Sequence, residues 1–254
     1  MFRYQTKRSL SAWICALIFC LLISNATGQS AAELDLESGW LWTGRADVRI
    51  PGDEGSRFSF TDDLDPDSTF YVRGRLSWRP SQRHRWALTL APLEATARGT
   101  FTDDIRFADT LFPAGSDVKA TYKFNNYRLT YRYRWLDAPR YFLEAGVTFF
   151  VRDAKVTVES DRLRDDDDDL GVVPLISFDA GWEARPRLWL RVDGDALAAP
   201  QGRAVDILFS LNYKWTDNLQ TGIGYRVLDG GADNDSVYTF ATFHHAALVL
   251  RYTW

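Results

Sequence analysis

The chain has 254 residues and a formal net charge of −4, with acids outnumbering bases, which argues against nucleic acid as a partner. Both cysteines, Cys15 and Cys20, and the single methionine lie in its first twenty residues, so the remainder can form neither a disulfide framework nor a thiolate metal site. Beyond those first residues the sequence has no stretch apolar enough to cross a bilayer as a helix.

Residues 1–28 begin with Arg3, Lys7 and Arg8, continue as an apolar run from Ala12 to Ile23, and end on the small residues Ala26 and Gly28. That order is the pattern of a cleaved secretory signal peptide. The apolar run is short for a retained span of about 20 residues. A lipoprotein reading through Cys20 conflicts with bulky Phe19 before it and with the position of Cys20 inside the run. Cleavage removes three bases and no acid, which takes the net charge from −4 to −7. The remaining segment, 29–254, is about 226 residues long and suits a single domain.

That segment alternates with a period of two, the signature of a strand with two unlike faces. Phe70, Val72, Leu76 and Trp78 share one face, while Arg73, Arg75 and Ser77 point the other way. In 127–135, five apolar or aromatic residues oppose Arg128, Thr130, Arg132 and Arg134. The same alternation recurs near 38–50, 85–98, 141–152, 172–184, 187–198, 204–215, 219–228 and 238–254. This predicts an all-β chain of about ten strands; eight or twelve stay open. Pro92 and Pro174 imply bulges or edges in their segments. The links 51–68, 99–116 and 153–171 are long and alternate with short ones, as expected for external loops and periplasmic turns.

A soluble barrel would turn its apolar face inward. Against that, aromatics sit beside the short turns: Trp78 and Trp86 at one, Trp135 and Tyr141 at the next, Trp182 and Trp215 at two others. With Trp40, Trp42 and Trp254 near the expected closure, they predict a periplasmic girdle. The chain also ends in an alternating strand, Leu248-x-Leu250-x-Tyr252-x-Trp254.

On these markers the chain resembles the bacterial outer-membrane β-barrel superfamily, in its small monomeric form, over the whole of 29–254. The resemblance implies an antiparallel up-and-down transmembrane barrel in the outer membrane of a Gram-negative cell. It also implies contact with the lipid bilayer and lipopolysaccharide, and recognition of the terminal strand by the β-barrel assembly machinery. Trp254 stands where that superfamily usually has phenylalanine.

The polar face carries Arg45, Asp47, Arg49, Arg73, Arg75, Arg128, Arg132, Arg134, Glu144, Asp179, Glu183, Arg191, Asp193, Asp195, Asp206, Lys214, Arg226 and Arg251. In a small barrel such a face either plugs the lumen with ion pairs or lines a narrow polar conduit, porin-like, for small solutes. The arginines of 127–135 would favour anions in a conduit. The alternative function is a hydrolase sited at the external rim, omptin-like or lipid A deacylase-like. Its candidate catalytic residues are His245, Asp193 and Asp195, because an imidazole held by a carboxylate can activate water. Only one of His244 and His245 can enter the lumen, and the Asp-x-His pair of omptins is missing. The run Asp165–Asp169 reads as a solvated loop or as oxygen ligands for a divalent cation. No motif implies a cofactor or a resident metal.

Overall fold

The computed structural model describes residues 31–200 and 202–254; the expected signal peptide lies outside them. Ten long strands run in chain order. They are β1 (Ala31–Arg49), β2 (Thr69–Arg79), β3 (His84–Ala91, continuing as Glu94–Thr100), β4 (Asp117–Ala138) and β5 (Tyr141–Ser160). They continue as β6 (Arg164–Arg185), β7 (Leu188–Ala199), β8 (Gly202–Lys214), β9 (Leu219–Asp233) and β10 (Tyr238–Thr253). Each pairs antiparallel with the next, and β10 returns to β1 from Glu33–Thr253 up to Arg49–Tyr238. Closure leaves the ring no free edge along that seam, which is what a backbone in lipid requires. Pro92 occupies the break in β3. Pro174 lies on β6 above the last pair with β7, Ile176–Ala196, in a stretch flanked by β5 alone, so it occupies a sheet edge.

The two faces differ by depth. On β4 the outward residues Tyr127, Leu129 and Trp135 are exposed and apolar, while Asn126, Arg128, Thr130 and Arg132 are buried in the lumen. Above Asn126 the same strand reverses: Val118, Ala120 and Tyr122 are buried inward, and Lys119 and Lys123 face out to pair with Glu159 and Asp153. β5 reverses at the same level, with Val147 and Phe149 outward below and Val156 and Val158 buried inward above. Across this level the period of two holds on both strands; what changes is the medium outside. Below the crossing the wall faces hydrocarbon, and above it the wall faces water.

The interior of the upper part is an apolar core completed by the first two external loops. Phe58, Phe60, Phe101, Phe107 and Phe112 are almost fully buried. Phe58 packs at 5.5 Å from Phe101 and 6.1 Å from Phe107, and Phe60 lies 6.2 Å from Tyr122 of β4. Ile105–Phe107 and Thr110–Phe112 form a small hairpin in this cap. Each buried phenylalanine contributes about 1.5–3 kcal/mol before the entropy of ordering the loops is subtracted.

Four expectations change. Trp40 and Trp42 belong to the opposite girdle: Trp40 pairs with Ala246, eight residues above the level where Ala32 meets Trp78, or about 20 Å at the usual rise and tilt. There Trp40 meets Phe70 at 5.8 Å, and Trp42 stacks on His244. A bulge between Thr43 and Arg45 turns Arg45 outward, so it does not line the lumen. The expected loop 153–171 is instead a long hairpin whose strands end at Ser160 and restart at Arg164. The acidic run is therefore strand, divided between two faces, with Asp169 on Arg152 and Asp166 on Lys155. Burial, followed by repulsion from Asp168 and Asp169, holds the Asp167 carboxyl above its ordinary range.

The depth reversal predicts unequal costs for one substitution at two outward sites of β4. Leu129→Arg should destabilise the barrel by about 2–4 kcal/mol, whereas Thr121→Arg should stay within about 0.5 kcal/mol. Urea unfolding in lipid vesicles measures both.

Candidate functional site

The membrane-spanning lumen is filled by arginines and carboxylates contributed by every strand of the ring. At its periplasmic end Arg85 bridges Glu144 at 2.8 Å and Asp179 at 2.6 Å, and Arg191 also binds Asp179. Arg79 and Arg134 close on the same Glu144, at 2.6 and 2.8 Å. In the middle, Arg75 grips Asp193 through two hydrogen bonds of 2.8 Å, and Arg132 donates to that carboxylate at 2.6 Å. Higher up, Arg128 joins Asp195 and Asp206, each at 2.7 Å. Asp206 also takes Arg73 and Arg226, and Arg226 donates twice to Glu37. Tyr71 Oη donates to Glu37 at 2.7 Å, while the Ser177 and Thr148 hydroxyls donate to Asp195 at 2.6 and 2.7 Å.

The chemistry of this set is specific. A guanidinium stays charged and offers a planar fork of donors, so one arginine can satisfy two carboxylates on different strands. Among the described residues no lysine, a single compact charge, joins the buried lumen network; Lys119, Lys123 and Lys155 sit above the belt and Lys214 at the periplasmic rim. Two voids of about 20 Å³ remain in the network. One lies between Tyr71, Arg226 and His245, the other between Asp35, Arg75 and Arg191. Each has room for about one water molecule.

The candidate catalytic residues are not brought together. His245 enters the lumen and His244 faces out, where its Nδ1 lies 2.6 Å from Tyr225 Oη. The His245 ring packs edge-on to Tyr71 at 4.6 Å, and its Nδ1 has no hydrogen-bond partner. Asp193 and Asp195 lie in the middle of β7 rather than at the external rim, paired across to Asp179 and Ser177. Their oxygens are held by arginines and hydroxyls, and neither shares a hydrogen bond with His245. Of the other lumen candidates, Glu183 and Lys214 sit at the periplasmic rim, where Glu183 accepts from the Arg187 amide and Lys214 pairs with Asp217.

Sequence reasoning missed Asp35, Glu37, Tyr71 and Arg85. Glu37 anchors Arg226, and Asp35 binds Arg251 across the closing seam. The signal was present for the first two: Leu34-Asp35-Leu36-Glu37 alternates like the rest of β1, which starts at Ala31 rather than near 38. Arg85 lies at the start of β3, beside a turn.

No protein-family model matches the chain, and no curated protein is similar to it in sequence. Solved structures are similar in shape. The outer membrane protease OmpT of Escherichia coli aligns over 91% of this chain and 100% of its own, with 12% identity and a TM-score of 0.52. An outer membrane channel of Pseudomonas putida F1 aligns over 90% and 96%, with 10% identity and a TM-score of 0.41. At such identity the likeness to OmpT is one of fold. The chain has the fold of a bacterial outer-membrane β-barrel, and its apolar belt between two aromatic girdles fits a bilayer.

Removing one member of the buried network should cost far more than removing a rim charge. Asp206→Ala leaves Arg73 without its ion-pair partner and should destabilise by about 3–5 kcal/mol. Asp137→Ala, at an exposed pair with Arg134, should cost less than about 1 kcal/mol. Denaturant unfolding of both variants in the same lipid compares them.

Proposed function

We propose that this chain is a monomeric outer-membrane barrel with a closed lumen, acting at the cell surface through its capped external end. The membrane-spanning part then serves as a rigid anchor. The observation that carries this reading is the filling of the lumen: paired side chains span it from Glu144 to Asp206, and the voids between Tyr71 and His245 and between Asp35, Arg75 and Arg191 are the size of a water molecule. A conduit needs connected polar space through which an ion can leave each site as easily as it enters. Paired charges held at 2.6–2.8 Å would have to separate for a solute to pass.

The same proposal assigns export to residues 1–28 and recognition by the assembly machinery to the terminal strand ending at Trp254. It also assigns lipopolysaccharide contact to Lys119 and Lys123, a reading supported by their outward position just above the apolar belt, where each pairs with a carboxylate, Glu159 and Asp153.

Purified folded protein in a planar bilayer tests the reading. The expected result is a bilayer as silent as the protein-free control. Reproducible stepwise conductance would favour the conduit instead.

A further inference from the structure

The cap does not fill the whole upper interior. A cavity of about 450 Å³ remains beside it, walled by β4 to β10. Its walls are mostly apolar, with Tyr122, Phe124, Phe150, Val156, Leu175 and Phe243 among them; the cations that also reach it, Arg152, Lys155 and Arg203, are paired with Asp169, Asp166 and Asp229. The space exists because the strand tops facing these side chains carry small residues: Ala154, Ala199, Ala204, Gly230 and Ala232. Volume and lining fall in the range of sites that enclose small organic molecules.

The floor is Arg128 and Asp206, the top of the lumen network. Arg128 is 3% exposed, and its guanidinium lies 4.9 Å above the Phe150 ring. Its terminal nitrogens bind Asp195, Asp206 and Asn126, whereas its Nε has no hydrogen-bond partner. The Nε is itself covered, so an acceptor on a bound molecule reaches it with a small turn of the guanidinium, and a buried donor that lacks an acceptor favours that turn. Arg128 already holds two aspartates, one of them shared with Arg73 and Arg226, so the floor offers an anion paired rather than free positive charge. The rim adds Asp167 and Asp168, for which no ion pair forms among the described residues, and this disfavours an anion further.

The wall beside the cavity is also open. The ladder between β6 and β7 stops at Ile176–Ala196, although β6 continues up to Arg164. Ile176 sits opposite Val147 of the lipid-facing belt, and Val172 and Leu170 above it are 65% and 73% exposed. The notch therefore faces the outer edge of the bilayer, where apolar solutes concentrate.

We propose that this cavity binds a small, uncharged, largely apolar molecule that presents one hydrogen-bond acceptor to Arg128. The site stands apart from the closed-lumen reading, since a barrel could be shut to ions with or without it.

The full chain in lipid nanodiscs tests the proposal by equilibrium dialysis of the naphthyl ketone prodan, with protein-free nanodiscs subtracted. The expected result is saturable binding of one prodan per barrel. A matching naphthyl carboxylate, and a propyl analogue lacking the ketone, should each bind at least tenfold more weakly. Ala154→Trp and Ala204→Trp place an indole in the space and should each weaken prodan at least tenfold. Heat-modifiable migration on a gel verifies that each variant is folded, and two positions guard against failure of one. Binding unchanged in the folded variants, absence of saturable binding, or equal or tighter binding of either analogue would overturn the proposal.

Discussion

An unpaired charge cannot be left in a narrow lumen surrounded by hydrocarbon, and the rest of the structure follows from that constraint. Polar side chains must face inward, because the outward face meets lipid. Once inside, each must find a partner with good geometry or carry a desolvation cost of several kcal/mol. Arginine is the residue that meets the demand with fewest positions, since its fork reaches two strands at once. Arg85, Arg128 and Arg226 each do so, and the carboxylates they share tie the ring across its diameter. Such a network contributes little net stability compared with an apolar core, but it penalises any register that separates its members. Because a one-residue slip would turn every side chain to the wrong face, that penalty specifies the pairing of strands.

The same logic explains why the barrel changes character with height. Above the belt the outside is water, so inward charges gain nothing, and the inward positions become valine, alanine and aromatic residues. The cap of phenylalanines is the continuation of that core into the loops. One chain thus contains two kinds of β-structure stacked end to end, a membrane barrel below and a water-soluble one above. The crossing lies near Asn126 on β4 and Val151 on β5, which are one residue apart in register.

Much of this was legible in the sequence. The strand number near ten, the closure by the terminal strand and the inward arginines follow from a period of two that is interrupted at local bulges. The positions that misled share a cause: alternation gives faces but not depth. Trp40 and Trp42 are aromatic and outward, so nothing local says which girdle they join until the register with Ala246 and Phe70 is known. Asp165–Asp169 looked like a loop because like charges repel, yet pairing with Ala154–Val158 and salt bridges from Arg152 and Lys155 hold the run extended. The bulge at Gly44 flips Arg45 without any signal stronger than one glycine. Partners in the lumen were the least legible feature, because Glu37 and Arg226 stand 189 residues apart and only the closed ring brings them together.

Accessibility of single cysteines tests the central claim, that the lumen is closed by its own paired charges. Cysteines at Ser177, Ser210 and Thr148, all buried inward, are compared with one at Asp217, whose side chain is 97% exposed. A small charged methanethiosulfonate reagent added to both sides of the membrane should modify Asp217→Cys readily. The three lumen cysteines should stay unmodified at least a hundredfold longer. Modification of Ser177→Cys at a rate close to that of Asp217→Cys would show a water-filled lumen and contradict the account.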